Sequence, residues 1–116
     1  MIMNIYVDGS GGPNGGYGFF IKETGDSHYE RSPGITNNQA EFKAIILALK
    51  SVSPENELHI FSDSKNTVSQ LNHEFAINNE QLRSLAQETW VLIGKFPKIT
   101  IHWIPRNQNI AGKMLG

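Results

Sequence analysis

The chain has no cysteine, which excludes a disulfide scaffold, a thiolate zinc site and a cysteine nucleophile. It also lacks a basic surplus. Ten Lys and Arg stand against eleven Asp and Glu, a formal net charge of −1. A nucleic-acid binder of this composition must use local basic groups, neutral hydrogen bonders and metal ions instead of bulk charge. No run approaches the roughly 20 apolar residues that span a bilayer, and no signal-peptide pattern opens the chain. A cytoplasmic protein is therefore expected. The most consequential absence is local: from Thr89 to Gly116 there is no Asp or Glu, so that stretch offers no carboxylate.

What is present fits one folded unit. The 116 residues, 39% of them hydrophobic, suffice for one core and are too few for two domains. A single domain over 1–116 is expected, its last helix short or truncated. Residues 2–8, 17–23 and 27–32 read as strands, the last two joined by Thr24-Gly25-Asp26, a hairpin signal. The period then changes. Phe42, Ile45, Ile46 and Leu49 recur at helical spacing between Asn38 and Ser51, and Thr36-x-x-Gln39 has the form of a capping box. Residues 57–62 and 98–104 read as strands, 64–72 and 79–95 as helices, and 107–116 as the first turns of a helix. In the longer helix, Leu82, Leu85, Ala86, Val91 and Leu92 form the expected apolar set. The order βββαβαα β(α) implies an α/β fold: a five-stranded mixed sheet, three antiparallel strands followed by parallel additions, flanked by helices.

Three acids fall where these elements converge. Asp8 closes the first apolar strand, Glu41 lies in the first turn of the longest helix, and Asp63 ends a second apolar strand. Carboxylates gathered at the ends of buried strands repel one another and lose hydration. A divalent metal held by oxygen ligands compensates them, and its usual chemistry is at phosphate. Taken singly, each acid has a plainer reading: Asp8 as a turn residue, Glu41 as a capping residue three after Asn38, Asp63 as a helix N-cap. The Gly-rich run from Gly9 to Gly16 lacks the Gly-Lys-Ser/Thr ending of a phosphate loop and precedes a strand. His28, His59, His73 and His102 have no metal-ligand spacing, and Trp90 and Trp103 read as packing residues.

Four segments carry a resemblance: Tyr6-Val7-Asp8-Gly9-Ser10, Thr36-Asn37-Asn38-Gln39-Ala40-Glu41, Phe61-Ser62-Asp63-Ser64 and His102-Trp103-Ile104-Pro105-Arg106. In this order, and over nearly the whole chain, the pattern resembles the ribonuclease H family, type 1. The short segment from Asn72 to Asn79 resembles compact members without a basic handle. The resemblance implies the ribonuclease H-like fold and a metal-dependent endonuclease that cuts the RNA strand of RNA–DNA hybrids, leaving 5′-phosphate and 3′-hydroxyl ends. It implies two Mg²⁺ ions, replaceable by Mn²⁺, with Asp8 bridging both and Glu41 and Asp63 holding the leaving-group metal. It further implies minor-groove contacts from Asn14, Asn37 and Asn38 and a DNA-phosphate contact from Thr36. The partner is then the hybrid duplex, with no membrane, no obligate protein partner and a monomeric chain. Neutral amides suit the 2′-hydroxyls and base edges of an A-like minor groove, which fits a chain without basic surplus.

The sequence departs from that family at one point. A fourth carboxylate is expected four residues after an Asn. Counting from Asn109 puts Lys113 there, and a register shifted by one puts Gly112. Asn107 or Asn109 offers at most a neutral amide oxygen, and the Lys113 ammonium a point charge that cannot generate hydroxide. A catalytically degenerate hybrid-binding domain is the alternative. Hybrid cleavage supported by Mg²⁺ is therefore expected to be weak and partly rescued by Mn²⁺; full cleavage at ordinary Mg²⁺ concentrations would contradict this.

Overall fold

The computed structural model describes residues 1–115, with side chains described through Lys113. The strands are β1 (Ile2–Ser10), β2 (Gly16–Ile21), β3 (Ser27–Arg31), β4 (Glu57–Ser62) and β5 (Ile99–Trp103). The helices are α1 (Asn37–Ser51), α2 (Lys65–Leu71), α3 (Glu80–Ile93) and α4 (Ile110–Leu115), with a 3-10 turn at Arg106–Gln108. One sheet runs in the order β3-β2-β1-β4-β5. β1 pairs antiparallel with β2, and β2 with β3, whereas β1 with β4 and β4 with β5 are parallel. This is the mixed α/β arrangement expected from the order of elements.

The alternation within β1 sets the layers. Ile5 and Val7 are fully buried and join Phe42, Ile45, Ala48 and Leu49 of α1 with Leu58 and Ile60 of β4 in the core. α1 packs on β1 and β2, and α3 packs on α1. Asp8, the next residue after Val7, projects toward the opposite side, where α4 lies against β1 and β2. α1 starts at a complete capping box: Thr36 Oγ1 accepts from the Gln39 N–H and Gln39 Oε1 from the Thr36 N–H, both at 3.1 Å.

Several boundaries differ from the sequence reading for identifiable reasons. β1 does not end at Asp8. It continues to Ser10 because Asp8, Gly9 and Ser10 pair with Gly18, Tyr17 and Gly16. Glu41 is the fifth residue of α1 and not in its first turn, which contains no acid. β2 stops at Ile21, where the Gly25 N–H bonds the Ile21 carbonyl at 2.8 Å and turns the chain. Val91 is 66% exposed; the buried side of α3 instead passes through Ala86 and Thr89. The tail is not one helix from residue 107, because Asn109 separates the 3-10 turn from α4.

The glycine run has a packing cause. A Cβ on Gly9 would lie 2.5 Å from the Ala40 carbonyl carbon and oxygen, and one on Gly11 would lie 2.4 Å from the Ile35 carbonyl oxygen. Strand and helix backbone touch there, with no room for a side chain. Gly94, whose added Cβ would meet Trp90 and Val91 carbonyls at an ordinary 3.5 Å, is a fitting control. Gly9→Ala is expected to lower stability by about 1–3 kcal/mol, as overpacking does, and Gly94→Ala to stay within about 0.5 kcal/mol. Urea unfolding of the two variants checks this.

Candidate metal centre

The parallel pairing of β1 and β4 brings their carboxyl ends side by side, the edge at which α/β sheets place ligands. Asp8 near the end of β1, Asp63 just past β4 and Glu41 on α1 each offer a carboxylate oxygen, and these oxygens all lie within 4.8 Å of one another. The structure thus brings together the three acids singled out from the sequence. It also removes their plainer readings. Asp8 is in a strand and not a turn. Thr36, with Gln39, caps α1. Ser64, not Asp63, caps α2, accepting from the Thr67 N–H.

Two of the three carboxylates are held by hydrogen bonds. Glu41 is buried, and its Oε1 accepts from the Gly9 N–H at 2.6 Å while Oε2 accepts from the Ser62 hydroxyl at 3.3 Å. Asp63 Oδ2 accepts from Asn109 Nδ2 at 3.1 Å, and the Asp63 backbone carbonyl accepts from Trp103 Nε1 at 3.2 Å. Asn109 itself is fully buried. Its Nδ2 also donates to the Val7 carbonyl at 2.9 Å, and its Oδ1 accepts from the Ala111 N–H at 3.1 Å. Both Val7 O and Asp63 Oδ2 are acceptors, so the amide must turn its nitrogen to them. Asn109 therefore presents no oxygen to a cation. It positions Asp63 and starts α4, a role that spacing alone did not reveal. Ser62 and the Gly9 N–H also went unnoticed: a serine in a strand and a backbone group give no sequence signal.

Electrostatically the cluster is held in tension. Burial, then the charges of Asp8 and Asp63, push the Glu41 carboxyl up to about 8, against the opposing bonds from Gly9 and Ser62. Asp8 is also raised, chiefly by burial and then by Asp63, while the Gly9 N–H and the Arg106 charge act in the other direction. Three carboxylates sharing so small a space fit a hard divalent cation such as Mg²⁺ or Mn²⁺ in donor type and charge. Such a cation would supply Lewis-acid charge stabilisation when bound.

The remaining residues of the sequence reading divide into two groups. A cleft of about 450 Å³ beside the acids is lined by residues that include Asp8, Asp63, Arg106, Asn107, Gly112 and Lys113. Gly112 is close enough to Asp8 that an added Cβ would meet Oδ2 at 3.6 Å, and Lys113 is exposed. Asn14, Thr36, Asn37 and Asn38 lie apart from the cleft lining and are all exposed. They form one surface, because the Gly12 N–H bonds the Ile35 carbonyl and the Gly34 N–H bonds the Gly12 carbonyl, both at 2.9 Å. Asn37 is exposed, and its Oδ1 accepts from the Gly11 N–H at 2.6 Å. The histidines stay out of the site: His59 Nδ1 meets Thr100 Oγ1 at 2.6 Å and its Nε2 meets Glu57 at 2.8 Å.

Comparison with known proteins gives a consistent picture. A family profile described as reverse transcriptase-like matches residues 22–115. The EbsB protein of Enterococcus faecalis is 32% identical over 123 residues, covering 98% of this chain and 90% of that protein. A ribonuclease H of Campylobacter concisus is 30% identical over 115 residues, covering 89% of this chain and 78% of the relative. Among solved structures, ribonuclease H1 of the archaeon Halobacterium salinarum superposes with a TM-score of 0.89 at 24% identity, covering 99% of this chain and 94% of that one. LC11 ribonuclease H1, solved in complex with an RNA/DNA hybrid, superposes with a TM-score of 0.84 at 22% identity, covering 97% and 92%.

The raised carboxyl of Glu41 has a signed consequence. Its folded value of about 8 lies above the ordinary 4.5, so the metal-free fold binds the extra proton. That stability is fully present below about pH 4.5 and is lost as pH rises through about 8, on the order of a few kcal/mol. Thermal melting of the metal-free protein should show this decline, Glu41→Gln should flatten it, and Mg²⁺ should raise the melting temperature more at pH 8.5 than at pH 4.5.

Proposed function

Because the chain belongs to the ribonuclease H family, type 1, we propose that it is a metal-dependent endonuclease hydrolysing the RNA strand of RNA–DNA hybrids. The observation that carries this reading is the convergence of Asp8, Glu41 and Asp63 at the edge of a ribonuclease H-like sheet. The hybrid-bound neighbour of the same fold supports the choice of substrate.

In this reading Asp8, Glu41 and Asp63 hold Mg²⁺, or Mn²⁺ in its place. Glu41 is kept aimed by the Gly9 N–H and the Ser62 hydroxyl, and Asp63 by the Asn109 amide. Their fixed geometry means that the carboxylates need not reorganise when the scissile phosphate arrives. The exposed amides of Asn14, Asn37 and Asn38 meet 2′-hydroxyls and base edges in the minor groove. The hydroxyl of Thr36 accepts from the Gln39 N–H and retains its own proton for a DNA phosphate. Hydrolysis leaves 5′-phosphate and 3′-hydroxyl ends, and the chain acts as a cytoplasmic monomer. Among the described residues, no helix is long and apolar enough to cross a membrane.

A second reading keeps the fold and the hybrid but loses the chemistry, favoured by the absence of a carboxylate on α4 beside Asp8. A labelled RNA–DNA hybrid and a DNA duplex of the same sequence, incubated with Mg²⁺ and Mn²⁺, separate the two. Cleavage confined to the RNA strand and lost in Asp8→Asn is the expected result. Hybrid binding without cleavage would establish the binding domain, and equal cleavage of plain DNA would overturn the substrate assignment.

A further inference from the structure

Two cations are what the resemblance implies, but the residues around the acids are arranged for fewer. Resting on the reading of this site as a divalent-cation centre, we propose that it takes one divalent cation, and that Arg106 and Lys113 hold by charge the side on which a second would sit.

The donor count supports this first. Asp8, Glu41 and Asp63 are the described acids that converge, and they suffice for a single hard cation completed by water. Among the described residues lining the cleft, Asp8 and Asp63 are the acids. Asn109 lies directly behind, but its oxygen is bonded to the Ala111 N–H and its nitrogen faces Asp63. At the two described positions of α4 that line the cleft, Gly112 brings no side chain to Asp8 and Lys113 brings an ammonium.

Charge supports it independently. Arg106 and Lys113 already line the cleft with Asp8 and Asp63. Two divalent cations would set six positive charges, with the two basic side chains, against three carboxylates. One cation leaves four against three, close to balance and suited to receiving a single phosphate. Repulsion between unit charges about 4 Å apart is several kcal/mol even at the effective dielectric of a protein surface. The second ion is thus opposed by two cations and held by no acid of its own. The consequence is an enzyme whose metal dependence follows one site, with phosphate charge on the cleft side met by arginine and lysine.

Electron paramagnetic resonance of the whole chain titrated with Mn²⁺ reads the count without requiring turnover. It is run on the free protein and on the protein with a hybrid whose RNA strand is 2′-O-methylated. The expected result is one uncoupled Mn²⁺ per chain in both. Lys113→Asp and, separately, Gly112→Asp should each add a second ion. They should also produce the spin–spin coupled spectrum of a pair roughly 3.5–4 Å apart, and raise Mg²⁺-supported hybrid cleavage by about tenfold or more. Two ions in the unaltered chain, in either state, overturn the proposal. Failure of both acidic variants, folded by circular dichroism, to gain an ion overturns the assignment of α4 as the excluded side. Hybrid binding is followed separately by fluorescence anisotropy. Absence of binding would remove the substrate reading, while the count on the free chain would still decide the number of cations.

Discussion

The structure turns on the contact between β1 and the start of α1. At Gly9 the strand passes so close to Ala40 and Glu41 that a single methyl group would overlap helix backbone. That closeness lets the Gly9 N–H reach Glu41 Oε1 at 2.6 Å. It also sets the Asp8 carboxylate, one residue earlier, beside the same glutamate. Without this approach Glu41 would be a buried acid with one weak hydroxyl partner, and burial of that kind is costly. The sheet supplies the third member, because parallel pairing of β4 with β1 leaves Asp63 at the same edge.

The centre is therefore assembled under opposing forces. Packing, backbone bonds and Asn109 gather three carboxylates, while desolvation and mutual repulsion raise Glu41 to about 8 and push Asp8 upward. Local destabilisation of this sort is tolerated where a ligand is meant to relieve it. Asn109 has the most connected part in the arrangement. A single buried side chain ties β1 through Val7, holds Asp63 and begins α4. Its amide bonds set the start of α4 beside Asp63, although that helix brings no acid to the centre.

Membership in the ribonuclease H family and the shape of the exposed asparagine surface point the same way. A chain with net charge −1 has little long-range attraction for a polyanion, so in the proposed reading recognition depends on short-range groups. Asn14, Asn37 and Asn38 are such groups, and the loop that carries Asn14 is pinned to the start of α1 through Gly12. The exposed asparagines and the buried Glu41 thus share one support, the N-terminal part of α1.

The sequence by itself determined the order of elements, the capping box at Thr36 and the identity of the three acids, because periodicity, capping and apolar strands are local properties. It also determined that the stretch from Thr89 to Gly116 holds no Asp or Glu. Local patterns misjudged what depends on partners. Asp8 looked like a strand end because Gly-Ser-Gly-Gly reads as a turn, yet pairing with Gly16–Gly18 prolongs β1. Val91 fitted an apolar stripe but faces outward, since the register of α3 is set by its packing on α1. Asn109 looked like a donor of oxygen, and only the neighbouring Val7 carbonyl and Asp63 carboxylate reverse its amide. The distances among the acids, the hydrogen bonds that aim them and the nearness of Gly112 to Asp8 were decided by tertiary structure. They join residues far apart in the chain, where no local physical rule connects them.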